Sequence, residues 1–170
     1  MLTEDGCVYS FGCGSRGQLG HGDVEKRDEP AIIDALCGIE IIKIACGFWH
    51  SVALSRQGDL YMWGSNSNGQ LGLKTNKNDD TQSLDVSIMA SPYLIDFHSN
   101  VVDVACGSKH TIALLENTKL YGCGFNKYYQ LGINNSDEDI YKMVFLHDFT
   151  GQQVIGIRCG PWNSAVLLSD

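Results

Sequence analysis

Residues 58–72 read GDLYMWGSNSNGQLG, and the same pattern stands at two other places in the chain. Residues 6–20 read GCVYSFGCGSRGQLG and residues 118–132 read TKLYGCGFNKYYQLG. The shared glutamines Gln18, Gln70 and Gln130 are separated by 52 and 60 residues. A second pattern keeps the same beat: ACGFWHSVAL at 45–54, ACGSKHTIAL at 105–114 and RCGPWNSAVL at 158–167. Two linked patterns with one period near 50 residues define a repeat protein, whose units bury their apolar faces against one another.

Working outward, the units run over residues 6–57, 58–117 and 118–170. Each holds short β-branched and aromatic runs separated by glycine-rich turns. Strands are expected at Cys7–Phe11, Ala31–Leu36, Ile39–Ile44 and Phe48–Leu54, and at the equivalent places downstream. Glu25–Glu29 reads as a charged loop closed by Pro30. The second unit carries an insertion over 74–91, polar and without a strand pattern, after which Pro92 resumes the repeat. No stretch has a helical period. Short strands of even spacing predict an all-β fold: a partial β-propeller of about three blades, each a four-stranded antiparallel sheet.

The 170 residues carry a formal net charge of −8 and 44% hydrophobic residues. This charge disfavours a nucleic-acid-binding surface, so no direct nucleic-acid contact is expected. No apolar run approaches the roughly 20 residues of a membrane helix, and no membrane contact is expected. Of seven cysteines, Cys46, Cys106 and Cys159 share one repeat position and read as small buried residues. The others lack metal-ligand spacing, so free thiols and a nuclear or cytoplasmic setting are expected.

Gly12–Gly17 fits G-x-G-x-x-G, but no helix follows and the second copy lacks the middle glycine, so the match reads as a propeller loop. His50 and His110 are repeat-equivalent, with Asn163 in the third copy. They read as blade-to-blade hydrogen-bonding groups rather than metal ligands. No nucleophile or paired-carboxylate arrangement stands out, so no catalytic residue, cofactor or metal is expected. Trp49, Lys109 and Trp162 occupy the position just before that histidine or asparagine, at the start of a strand. Aromatic residues with a basic neighbour at the rim of a propeller suit protein binding.

The Tyr-x-Trp/Phe-Gly, Gly-Gln-Leu-Gly and Cys-Gly-x-x-His-Ser/Thr segments resemble the repeats of the regulator of chromosome condensation family. They do so in order and over essentially the whole chain. The resemblance implies a propeller, usually of seven blades. Residues 46–51, the insertion, residues 106–111 and Cys159–Asn163 look most like the C-terminal part of a small member that partners a JmjC-domain oxygenase. That likeness implies a non-catalytic interaction module in histone-lysine demethylation. The alternatives are nucleotide exchange on the GTPase Ran, as in the founding member, or a repeat module of a ubiquitin ligase. Three units are fewer than half of seven blades, so a piece of a longer protein is expected, and its isolated form is expected to self-associate.

Overall fold

The structure is a computed structural model that describes residues 1–73, 86–134 and 139–169. It contains twelve strands and, among the described residues, no α-helix. β1 spans Tyr9–Gly12 and β2 Arg27–Ile32, and they form a two-stranded sheet. β3 (Ile41–Cys46), β4 (His50–Ser55), β5 (Leu60–Ser65) and β6 (Ile88–Ile95) form a four-stranded antiparallel sheet in that order. β7 (Val101–Cys106), β8 (His110–Leu115), β9 (Lys119–Gly124) and β10 (Ile140–Asp148) repeat it. β11 (Val154–Gly160) and β12 (Asn163–Leu168) form a second two-stranded sheet.

The chain is therefore a sector of a propeller, with two complete blades flanked by two half-blades. Each complete blade takes two strands from one sequence unit and two from the next. The half-blades are complementary in kind. β11 and β12 correspond to the first and second strands of a blade, β1 and β2 to the third and fourth. Met1–Thr3 supplies a remnant of a second strand, through the Leu2–Val8 bridge and the hydrogen bond from Tyr9 N to Met1 O.

Three apolar cores lie between successive sheets. Val8, Ile33, Leu36, Ile41, Ala53 and Trp63 fill the first. Val52, Leu54, Leu60 and Met62 meet Val104, Ala113 and Cys123 in the second. Ala105, Ile112, Leu114, Leu120 and Ile157 form the third. The second strand of each complete blade is covered on both faces, and all six residues of β4 and of β8 are buried. This is why HSVALS and HTIALL read as unbroken runs rather than as alternating patterns.

Several expectations need correction. Pro30 and Pro92 lie within strands β2 and β6, not at loop ends. Both strands are the outermost of their sheets, where a missing N–H costs no ladder hydrogen bond. Ile88–Ser91 of the insertion belongs to β6, while 74–85 lies outside the described residues. The strand expected over Ala31–Leu36 ends at Ile32, and Asp34–Leu36 is a 3-10 turn that sends Leu36 into the first core. The repeat cysteines are less buried than expected. Cys46 is exposed and Cys106 and Cys159 are half-buried, because they close the innermost strands; Cys123 is the fully buried one.

The Gln-Leu-Gly signature closes its own turn. Gln18, Gln70 and Gln130 each accept, on Oε1, the N–H two residues back, at 2.8, 2.8 and 3.0 Å. The residue before the glutamine has a left-handed backbone: Gly17 at φ 71°, Gly69 at φ 79° and, in the third copy, Tyr129 at φ 58°. A side chain there is uncommon.

Candidate protein-binding face

The turns joining first to second strands of successive blades are Gly47–Trp49, Gly107–Lys109 and Gly160–Trp162. Antiparallel order brings the loops after the third strands to the same end. Ser65 N donates to Trp49 O at 2.7 Å and Phe125 N to Lys109 O at 2.8 Å. The turns are also stitched to each other across blades: Phe48 N donates to Ser108 O at 3.1 Å and Ser108 N to Pro161 O at 3.0 Å. One face thus carries a continuous row of three turns.

Beneath the turns runs a buried polar relay. His50 Nε2 lies 2.9 Å from Thr111 Oγ1, and that hydroxyl donates to Gln70 O at 2.8 Å. One blade further, His110 Nε2 lies 3.0 Å from Ser164 Oγ, which donates to Gln130 O at 2.8 Å. Ser51 Oγ and Trp63 Nε1 both donate to Gln18 O at 2.9 Å. A hydroxyl has one hydrogen, already given to the glutamine carbonyl, so each histidine must donate from Nε2 and keep Nδ1 bare. Nδ1 of His50 and of His110 is buried with no partner among the described residues. Burial pushes the His50 pKa down to about 3, with help from His110, and that of His110 to about 4. Both rings are neutral at pH 7. The expected role as blade-to-blade ties is observed, through a hydroxyl of the next blade in each case.

The glycines before these histidines are required by contact. A Cβ on Gly47 would stand 2.2 Å from His50 Cε1, and one on Gly107 would stand 2.0 Å from His110 Cε1. Among the described residues no group of three His, Cys, Asp or Glu side chains could hold a metal.

Above the relay, aromatic rings from three separate segments converge. Trp162 meets Phe48 at 6.4 Å, Phe125 at 5.8 Å and Tyr128 at 6.1 Å between centroids, each edge to face. Lys109 Nζ sits 5.8 Å from the Phe125 centroid. Of the residues expected to bind protein, the structure therefore brings Lys109 and Trp162 to a shared partner, Phe125. Trp49 is 41% exposed, and it is its neighbour Phe48 that makes the ring contact. Phe48, Tyr128 and Trp162 remain 59%, 63% and 43% exposed. Sequence reading missed Phe48, Phe125 and Tyr128. Phe48 adjoins Trp49 and was open to notice; Phe125 and Tyr128 belong to another pattern, and no spacing joins them to Trp162.

A row of stitched turns over stacked four-stranded blades defines the chain as part of a repeat propeller, with an exposed aromatic patch on one face. The model described as Regulator of chromosome condensation (RCC1) repeat matches residues 5–54 and 57–114, and a second model of that repeat matches 41–70 and 101–130. The chain belongs to this family. It is similar to mouse RCC1 domain-containing protein 1, at 35% identity over 98% of this chain and 52% of that protein. It is also similar to human probable E3 ubiquitin-protein ligase HERC4, at 32% over 100% of this chain and 20% of that protein. The chain thus spans about half the length of the first relative and a fifth of the second. Among solved structures, Prp20p of Saccharomyces cerevisiae, described with its binding to Gsp1p and histones, superposes with a TM-score of 0.84. The identity is 26%, over 99% of this chain and 41% of that one.

Proposed function

We propose that this chain is a non-catalytic protein-interaction module whose binding surface is the face built by the turns at Phe48, Lys109 and Trp162. One observation carries the reading: aromatic rings from two other segments gather around Trp162, and Phe48 and Tyr128 among them stay more than half exposed. Folding leaves such apolar area in water only at some cost, and aromatic residues are the commonest anchors of protein interfaces. Trp49, Lys109 and Trp162 are the contact residues of this proposal. The partner is a JmjC-domain histone demethylase or oxygenase, and the setting is chromatin regulation in the nucleus or cytoplasm. That choice rests on the sequence resemblance to the small family member that partners such an oxygenase; the likeness to RCC1 domain-containing protein 1 over 98% of the chain supports the interaction-module reading.

The test is co-purification of the tagged chain with a JmjC-domain histone-lysine oxygenase, beside Trp162→Ala. Capture by the native chain and its loss in the variant supports the proposal, and capture by neither refutes it. A second reading, nucleotide exchange on Ran, draws on the likeness to Prp20p, the protein described with its binding to Gsp1p. Accelerated nucleotide release from loaded Ran would favour it over the first.

A further inference from the structure

We infer that the aromatic face is built for an acidic partner segment carrying apolar anchors. The inference rests on the interaction reading above and specifies the chemistry of what docks there. The chain as a whole is acidic, with 20 Asp and Glu against 12 Lys and Arg. Yet the four segments that build the patch, 46–50, 106–110, 124–132 and 159–163, contain two lysines and no acidic residue. Those lysines, Lys109 and Lys127, make no ion pair among the described residues. Lys109 is held at the patch by Phe125, with its ammonium 5.8 Å from the ring centroid. The nearest described acid on that loop, Asp139, accepts from Asn68 Nδ2 at 2.7 Å and is committed to the neighbouring blade. Over the first half-blade, Asp23 pairs with Arg27 at 2.6 Å.

The patch is thus an island of aromatic and cationic character in an anionic molecule. The net charge of the chain repels carboxylates at large, and here they meet Lys109 over the Phe125 ring and Lys127 on the same loop as Tyr128, neither in an ion pair among the described residues. The rings supply the area that holds the segment, and the lysines select its charge. A polyanion such as nucleic acid fits less well. Two lysines release few counterions, and the remaining surface of a chain with net charge −8 repels a long phosphate backbone.

Selection from a displayed random peptide library on the whole chain tests this, because the library imposes no composition. Enriched peptides are expected to be net negative with at least one aromatic or long aliphatic residue. They should bind the native chain at least about tenfold more tightly than Lys109→Glu, and lose binding to Trp162→Ala. Cooperative thermal melts of both variants would show that folding is intact. If one does not fold, Lys127→Glu and Tyr128→Ala serve in their place. Neutral or basic enriched peptides, no enrichment, or binding indifferent to the lysine would overturn the inference. Tighter binding of a random single-stranded oligonucleotide, abolished by Lys109→Glu, would overturn it in favour of nucleic acid. Oxygenase capture that needs Trp162 but tolerates Lys109→Glu would leave the binding face standing and refute only the acidic partner.

Discussion

His50 on β4 donates from Nε2 to the Oγ1 of Thr111 on β8, 2.9 Å away in the next blade, and Thr111 passes its own hydrogen to Gln70 O. The two residues are 61 positions apart in sequence and fully buried. Their contact joins the Cys-Gly-x-x-His pattern of one unit to the Gln-Leu-Gly pattern and the hydroxyl of the next. Both sequence signatures are thus parts of one inter-blade joint.

Replacing Thr111 by Val keeps the shape and removes the hydroxyl. It leaves His50 Nε2–H without its partner and Gln70 O with only the weak Cys123 S–H donor at 3.4 Å, and an orphaned buried group costs about 1–3 kcal/mol. Urea unfolding should show a loss of about 2–3 kcal/mol, whereas Thr111→Ser should lose under about 1 kcal/mol. Equal stability of native and Val chains would contradict the joint.

The same histidines set a pH dependence. Their folded pKa values, about 3 for His50 and about 4 for His110, lie below the ordinary 6.5. Between those limits the unfolded chain binds more protons than the folded one, so stability is full above pH 6.5 and falls as pH is lowered towards the folded values. The slope is at most about 1.4 kcal/mol per pH unit for each histidine. Urea midpoints at pH 7.5, 6 and 5 should decline in that order. His50→Asn, the residue that Asn163 supplies in the third copy, should flatten the decline.

Asp103 is a second joint, nearer the propeller axis. On β7, it accepts from Ile157 N of β11 at 2.9 Å, forms an ion pair with Lys43 of β3 and lies 3.9 Å from Arg158. Three successive first strands are tied through one carboxylate. Asp103→Ala orphans the Ile157 N–H and should cost about 2 kcal/mol by thermal or urea unfolding. Lys43→Met should cost under about 1 kcal/mol, since the lysine is partly in water.

How legible this molecule was depends on which interaction made each feature. The period, the strands that are buried on both faces and the placing of His50 and His110 between blades follow from residue type alone, since each unit repeats the same burial. Sheet membership was less visible. The signatures mark turns, whereas a sheet is defined by pairing, and pairing joins β3 and β4 of one unit to β5 and β6 of the next. Pro30 and Pro92 read as the ends of loops because sequence does not say which strand lies outermost. The convergence of Phe125 and Tyr128 on Trp162 depends on three-dimensional closure, and nothing local encodes it.

The half-blades give a further expectation. β12 has no third strand among the described residues, and Ile155, Leu167 and Leu168 around it are exposed. β12 corresponds to the second strand that β1 would pair with in a complete blade, so the free edges of two copies complement one another. Light scattering on the isolated chain should show concentration-dependent association that Ile155→Lys with Leu168→Lys abolishes. A monodisperse monomer with a cooperative melt would count against it.

The proposal that this sector offers a binding face is tested most directly by calorimetric titration of a JmjC-domain oxygenase into the native chain and into Trp162→Ala. Trp162 is 43% exposed and packs only against rings of the same surface patch, so its loss should lower the melting temperature modestly and leave the fold intact. Binding is expected to weaken by at least about tenfold, the loss of one aromatic anchor. Equal affinity of the two chains would place the interface elsewhere and contradict the assignment of this face.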